Sequence, residues 1–225
     1  MAHLKPAAGD FRIFWDNAYA VHDLYDDGDK LLNLYDECVK AGNPDLPIIF
    51  TSTSKITFPG AGVAVEAASP NNVAILKGRM KYQTIGPDKL NQLRHARMFK
   101  TPADIERHMK RHADILRPKF ESVLAELEKQ LSDTGIARWT NPKGGYFISL
   151  YVLDGCAKRV EQLCANAGMI LTPAGATYPY GIDPNDSNIR IAPSYPSVEE
   201  IKKASLVLSV AVKYAALEKL IAEKQ

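Results

Sequence analysis

At 225 residues, with 46% hydrophobic and 24% charged side chains, the chain has the composition of a soluble globular protein of one large or two small domains. A formal net charge of +2 gives no reason to expect nucleic acid or an anionic membrane as partner. No apolar run approaches the ~20 residues that span a bilayer, and residues 1–10 lack a signal-type apolar stretch, so the expectation is a cytoplasmic protein.

In chain order, residues 11–15 read as a short buried strand, and Leu31, Leu34, Tyr35, Cys38 and Val39 then recur at helical spacing until Gly42, Asn43 and Pro44 stop them. A second strand is predicted over 47–51 and a third over 62–68. Ser69-Pro70-Asn71-Asn72 resembles a helix start, a loop interrupts near 84–87, and a further helix carries Leu90, Leu93 and Met98.

Thr101-Pro102-Ala103-Asp104 joins a capping hydroxyl, proline at the first helical position and an acid in the first turn. The stripe from Ile105 through Leu131 predicts a long helix, bent at Pro118, of the kind that bridges two lobes. Beyond it a strand is predicted over 144–152, a helix capped by Asp154 and ended by Gly168, and another strand over 189–192. Ser197-Val198-Glu199-Glu200 is a capping box that opens a last helix to about residue 223. Cys38, Cys156 and Cys164 fall on apolar helical stripes, which suits buried reduced thiols.

Lys55 is the residue that carries most information. The apolar run Leu46-Pro47-Ile48-Ile49-Phe50 leads into Thr51-Ser52-Thr53-Ser54-Lys55, with Pro59, Gly60 and Gly62 following. A lysine that condenses with an aldehyde needs part of its population neutral, which burial or nearby positive charge provides. Ser52, Ser54 and backbone amides are donors suited to a phosphate, although a hydroxyl-rich turn is also ordinary loop chemistry. Asp16 closes a predicted strand, and an acid there points into the crevice where α/β sheets bind ligands. Such a carboxylate can pair with a pyridinium nitrogen, and Tyr19 can reach the same ring's phenolic oxygen, although Asp16-Asn17 also fits plain turn chemistry and Tyr19 an ordinary core aromatic. Arg190 alternates with Ile189 and Ile191, so it either exits to solvent or points its fork into a pocket, where it would suit a carboxylate.

Other patterns are weaker. Ser52-Thr53-Ser54-Lys55 fits S-x-x-K, but that chemistry needs Ser and Lys one turn apart on a helix, which Pro59, Gly60 and Gly62 break. His108 and His112 have the spacing of a zinc pair without the glutamate that should follow the first, so a solvated basic helix face and no metal is the reading. Arg94, Arg97, Lys100, Arg107 and Lys110 form a basic stretch with no aromatic platform, and read as surface.

Taken in order, Asp16-Asn17-Ala18-Tyr19, Ser52-Thr53-Ser54-Lys55, Gly144-Gly145-Tyr146-Phe147, Pro173-Ala174-Gly175 and Asn188-Ile189-Arg190 resemble the C-terminal half of a fold-type I, pyridoxal-phosphate-dependent aminotransferase of class I/II. Phe14-Trp15-Asp16-Asn17-Ala18-Tyr19-Ala20-Val21-His22 and Gly86-Pro87-Asp88-Lys89-Leu90-Asn91-Gln92-Leu93-Arg94-His95 narrow the resemblance to the aspartate-aminotransferase-like group, also called MocR-type or alanine-glyoxylate aminotransferase-like.

The resemblance implies an α/β fold: an incomplete, mostly parallel sheet with helices over residues 1–100, which hold the catalytic lysine of a partial cofactor-binding domain, then a bridging helix and an α+β small domain over 101–225. It implies pyridoxal 5′-phosphate as cofactor, Lys55 as Schiff-base lysine and proton-transfer base, and Asp16 as pyridinium partner. Tyr19 would bond the phenolic oxygen, Ser52 and Ser54 would serve the phosphate, and Arg190 would hold the substrate α-carboxylate. The substrates implied are an amino acid such as aspartate and a 2-oxo acid such as 2-oxoglutarate, handled by a homodimer in which the 84–87 loop faces the partner. Gly60, Ala61, Gly62 and Val63 stand where many relatives place a phosphate-binding arginine. Such relatives are roughly twice as long, so the alternative reading is a truncated, non-catalytic fragment that needs a complementary chain or acts only as a binding protein.

Overall fold

The computed structural model describes residues 1–224. It resolves into two compact units, one of residues 1–21 and 29–109, the other of residues 22–28 and 110–224.

The first unit is built on a three-stranded sheet of order β1-β2-β3, formed by β1 (Ile13–Asp16), β2 (Pro47–Ser52) and β3 (Ala64–Ala68). β1 and β2 run parallel with Asp16 opposite Phe50, while β3 returns antiparallel with Ala64 opposite Ser52. Helix α1 (Leu34–Lys40) provides the crossover between the parallel strands. It starts at the Asn33 cap, whose side chain accepts the Tyr35 N–H, so the predicted helical residue Leu31 lies outside it and is exposed. β1 is less buried than the sequence suggests: Ile13 is buried, but Phe14 is 72% exposed. Ile13, Cys38 and Leu46 form this unit's small core.

Helix α2 (Pro70–Met80) follows β3 directly. Its Ser69 cap accepts the Asn72 N–H and donates to Asp45, and buried Asn72 donates to the Asp45 carbonyl at 2.8 Å. Helix α3 (Lys89–Met98) is capped by Asp88. Helix α4 (Pro102–Leu131) is continuous through Pro118 and contributes residues to both units, passing from one to the other after Met109. At its start the Thr101 hydroxyl does not accept: it donates to Asp104, as do the N–H groups of Lys100 and Thr101.

The second unit has an antiparallel sheet of order β4-β5-β6, from β4 (Ala137–Trp139), β5 (Ile148–Val152) and β6 (Asn188–Ile191). β4 was not expected, and the strand predicted from residue 144 starts only at Ile148. The reason is local: Gly144 and Gly145 turn against residues 22–24, where the Gly145 N–H donates to the His22 carbonyl at 2.8 Å and the Leu24 N–H to the Lys143 carbonyl at 2.8 Å. A side chain at Gly144 would meet the His22 carbonyl at 2.9 Å.

One face of this sheet presents Ile148, Leu150, Val152, Ile189 and Ile191. They join Leu116, Phe120, Val123, Leu127 and Leu131 of α4, Val160 and Cys164 of α5 (Ala157–Asn166), and Leu208 and Val212 of α6 (Val198–Ala222) in one buried cluster. The spacing of these positions is that of a helical stripe facing a core. Asp154 does not cap α5: the helix begins three residues later, after Cys156, and the first-turn N–H of Lys158 is accepted by Asp186 at 3.2 Å. Cys156 is thus a cap residue rather than part of a helical stripe. The capping box at Ser197 and Glu200 is formed as predicted. All three thiols are buried and free, and burial pushes Cys164 up to about 11. No helix among the described residues is long and apolar enough to cross a membrane.

Candidate active site

In the first unit, β1 and β2 end side by side. The last residue of β1 is Asp16 and the last of β2 is Ser52, so a carboxylate and a hydroxyl stand at the C-terminal edge of the only parallel pair among the described strands. That edge is where open α/β sheets leave a crevice for ligands. An open depression of about 370 Å3 lies there, lined by Phe14, Asp16, Phe50, Thr51, Ser52 and Ala64. The Phe14 and Phe50 rings meet edge to face at 5.5 Å, giving it an aromatic wall.

From Ser52 the chain enters a single helical turn, in which the Thr53 carbonyl accepts the N–H groups of Ile56 at 2.9 Å and Thr57 at 2.8 Å. Lys55 projects from this turn, and its Nζ lies 4.9 Å from the centre of the Tyr19 ring. The structure therefore brings Asp16 together with Ser52, and Tyr19 together with Lys55. Ser54 belongs to the turn, its N–H 3.4 Å from the Ser52 hydroxyl oxygen. Ser52 and Lys55 do not share a helix face, which removes the S-x-x-K geometry.

The burial expected for Lys55 is not found. Burial falls along β2 from Pro47 and Ile48 through half-buried Ile49 and Phe50 to exposed Thr51, and Lys55 is exposed. A three-stranded sheet whose outer strand β3 is mostly exposed has too little mass to cover its end.

The turn is held from its base and its flanks. The Thr53 N–H donates to the Val63 carbonyl at 3.0 Å, and the Val63 N–H returns to the Thr53 hydroxyl at 2.9 Å, closing residues 53–63 into a loop. Gly62 makes this possible: an added Cβ would lie 3.1 Å from both Ser54 Oγ and Thr53 Oγ1. His95 Nε2 is 2.9 Å from the hydroxyls of Thr53 and of Thr57, and His95 Nδ1 is 2.7 Å from the Asn91 carbonyl. His108 Nε2 is 2.7 Å from the Ile56 carbonyl, with its ring against Phe99. His108 is thus half-buried and engaged, contrary to the expected solvated face. Among the described residues no cluster of His, Cys, Asp and Glu is placed to hold a metal ion. Nothing local in the sequence joins His95 or His108 to the Lys55 turn.

Arg190 belongs to the second unit. It lies opposite Ser149 on β6, half-buried, with its guanidinium stacked on the Phe147 ring at 4.6 Å. It is one of the residues that line a cavity of about 180 Å3, with Met169, Leu171 and Ile191 among the other walls. Its Nε is buried and has no hydrogen-bond partner among the described residues. The strand that presents Arg190 is anchored at its start, where Asp183 accepts the N–H groups of Ser187 and Asn188, both at 2.8 Å, and the Asn188 amide bonds Ser149 and Thr177.

A parallel pair ending on an acid and a hydroxyl, a lysine on the turn beyond it, and a separate antiparallel unit bearing an arginine define the class: part of the fold-type I aminotransferase architecture. The chain belongs to the aspartate aminotransferase family, whose model, described as Aspartate amino-transferase, matches residues 1–224. It is 46% identical over 224 residues to a Mycolicibacterium smegmatis protein with a provisional aminotransferase name, covering 100% of this chain and 52% of that one. It is 45% identical over 218 residues to an aspartate aminotransferase of Corynebacterium glutamicum, covering 97% of this chain and 50% of that protein. A crystal structure of an aspartate transaminase from Corynebacterium glutamicum matches it with a TM-score of 0.94 at 45% identity, over 97% of this chain and 51% of that one. The α-aminoadipate aminotransferase of Thermus thermophilus, solved with N-(5′-phosphopyridoxyl)-L-leucine, shares the fold with a TM-score of 0.73 at 22% identity, over 92% of this chain and 51% of that one. The chain spans about half the length of the curated relatives it matches.

Proposed function

We propose that this chain carries the lysine-bearing part of an aminotransferase that moves an amino group between an amino acid, with aspartate the expected donor, and a 2-oxo acid such as 2-oxoglutarate, using pyridoxal phosphate. The observation that carries the proposal is the juxtaposition at the β1/β2 edge: Asp16 and Ser52 line one depression, and Lys55 leaves the next turn beside Tyr19. Family membership and the names of the Corynebacterium glutamicum relatives support the reading.

The donor set fits the cofactor group by group. The Asp16 carboxylate suits a protonated pyridine nitrogen, the Tyr19 hydroxyl a phenolic oxygen, and the hydroxyls of Ser52 and Ser54 a phosphate. When bound, pyridoxal phosphate supplies an electron sink for the bond broken at the substrate Cα. Nζ of Lys55 would hold the cofactor covalently, and its amine would be the base for the proton at that carbon. The Arg190 guanidinium offers paired N–H donors to the substrate α-carboxylate, and its unpartnered Nε is a donor available for that role. A homodimer and a cytoplasmic location belong to the same reading.

A second reading, a chain that needs a complementary polypeptide or only binds partners, is favoured by the exposure of Lys55 and Asp16. One experiment separates the two. Purified chain given pyridoxal phosphate should develop an absorbance band near the visible edge that borohydride fixes onto Lys55, and Lys55→Ala should abolish both signals. A wild type indistinguishable from Lys55→Ala leaves the second reading, and a Lys55→Ala protein that still transaminates removes the first.

A further inference from the structure

We propose that His95 and His108 are positioning residues that clamp the Lys55 turn from two sides. For its link to the reaction the proposal rests on the reading of Lys55 given above. Besides the Thr53–Val63 pairing the turn has little apolar cover: Lys55, Pro59 and Gly60 are exposed, Phe58 is 72% exposed, and Ile56 is only half-buried. Apolar burial therefore contributes little, and side-chain hydrogen bonds must hold the backbone around the lysine.

The roles of the ring atoms follow from what they face. A carbonyl oxygen only accepts, so the 2.7 Å contact with Asn91 O places a proton on His95 Nδ1. In the neutral ring Nε2 is then an acceptor, and it takes the Thr53 hydroxyl proton at 2.9 Å. Thr53 Oγ1 is left to accept the Val63 N–H, which ties the base of the loop to the same imidazole. Thr57 offers its hydroxyl proton to Nε2 at 2.9 Å or to the Thr53 carbonyl at 3.2 Å, so the first and last residues of the turn meet at one nitrogen.

His108 acts with the opposite polarity. Its Nε2 faces the Ile56 carbonyl at 2.7 Å and must donate. Its ring is set by edge contact with Phe99, the cap residue at the end of α3. One imidazole thus accepts a hydroxyl proton at the turn, with the Thr53 and Thr57 oxygens both 2.9 Å from its Nε2, while the other donates to the carbonyl immediately after Lys55. Fixing the backbone on both sides of the lysine fixes where its side chain starts, which is the part of site preorganisation that backbone bonds can supply.

Five proteins test this: wild type, His95→Ala, His95→Gln, His108→Ala and His108→Gln. Glutamine reaches as far as Nε2, with an oxygen that accepts in place of His95 and an amide that donates in place of His108. The first readout is amide hydrogen exchange, which needs no cofactor. Each alanine variant should speed exchange at Ile56, Thr57 or Val63 by about tenfold, leave β5 and α6 unchanged, and be restored by glutamine. The second readout is where borohydride fixes added pyridoxal phosphate: the preference for Lys55 over the surface residue Lys100 should fall in the alanine variants and return with glutamine. Unchanged exchange in both alanine variants overturns the clamp, and so does an increase spread evenly over the first unit. If wild type fixes no cofactor on Lys55 while exchange behaves as expected, the clamp stands and the aminotransferase reading falls.

Discussion

The two sheets of this chain are each three-stranded, yet they differ in what their own unit supplies. β4-β5-β6 sits on a continuous buried cluster, with Phe120, Leu127, Leu131, Ile148, Leu150 and Val160 fully buried. β1-β2-β3 has Ile13, Cys38 and Leu46 behind it and leaves Phe14, Val65 and most of β3 exposed. The residues proposed for cofactor chemistry lie on the poorly covered sheet, and the one proposed for substrate recognition lies on the well-packed one. Stability and chemistry are therefore unequally divided along the chain.

The largest test of that contrast is a pair of truncations. Phe120→Ala empties a site with 0% exposure and should cost about 3–5 kcal/mol. Phe14→Ala removes a ring that is 72% exposed and should stay within about 0.5 kcal/mol. Urea unfolding followed separately in each unit by hydrogen exchange checks both. Equal losses would mean that the first unit has packing its exposed surfaces do not reveal.

A smaller effect tests whether the weak unit is nonetheless tightly built at the lysine. Gly62→Ala puts a methyl 3.2 Å from the Ser54 backbone N and 3.1 Å from two hydroxyl oxygens, one of them already committed to Val63. Overpacking of this kind costs about 1–3 kcal/mol, and the loss should appear as faster exchange over residues 53–63 together with weaker labelling of Lys55. An alanine tolerated without either change would show a turn loose enough to move aside, and would weaken the clamp as well.

The buried thiols sharpen the comparison without any substitution. Burial raises Cys38 in the small core and pushes Cys164 up to about 11 in the large one, so both resist alkylation while folded. Labelling then reports opening. Cys38 should react about tenfold faster than Cys164 under native conditions, as read by mass spectrometry of iodoacetamide-treated protein. Equal rates would mean that both units open together.

Much of this architecture was legible because it rests on short-range chemistry. Ser69 before Pro70 and the Ser197 box are local devices, and both helices start where those residues say. The strands carrying Asp16 and Ser52 were found from apolar runs, although their exposure was not, because a strand's pattern does not say how many neighbours cover it. β4 was missed because Ala137-Arg138-Trp139 is too short to show a period, and exists only through pairing with β5. Asp154 looked like a cap because an acid stood near a helix start, but Asp186, 28 residues from Lys158, does the work. The same holds at the candidate site. Lys55, Asp16 and Ser52 could be named from order along the chain, whereas His95 reaches Thr53 across 42 residues and His108 reaches Ile56 across 52, separations that no local signal encodes.

The smallest expected effect concerns how the well-packed unit presents Arg190. Burial tends to raise the Asp183 carboxyl, but the N–H groups of Ser187, Asn188, Asn185 and Asp186 outweigh it and hold the group below the ordinary 3.8. A carboxylate with a lowered folded-state pKa adds stability that is fully present above its unfolded value and is lost as pH falls through the folded one. The start of β6 should therefore keep its protection at neutral pH and loosen only below pH 3.8. Asp183→Asn keeps an acceptor oxygen but loses the charge, so it should exchange faster than wild type at Ser187 and Asn188 near neutrality and converge with it in acid. A difference between the two proteins that persists unchanged at low pH would assign the anchoring to geometry alone, and would remove charge from the account of how Arg190 is held.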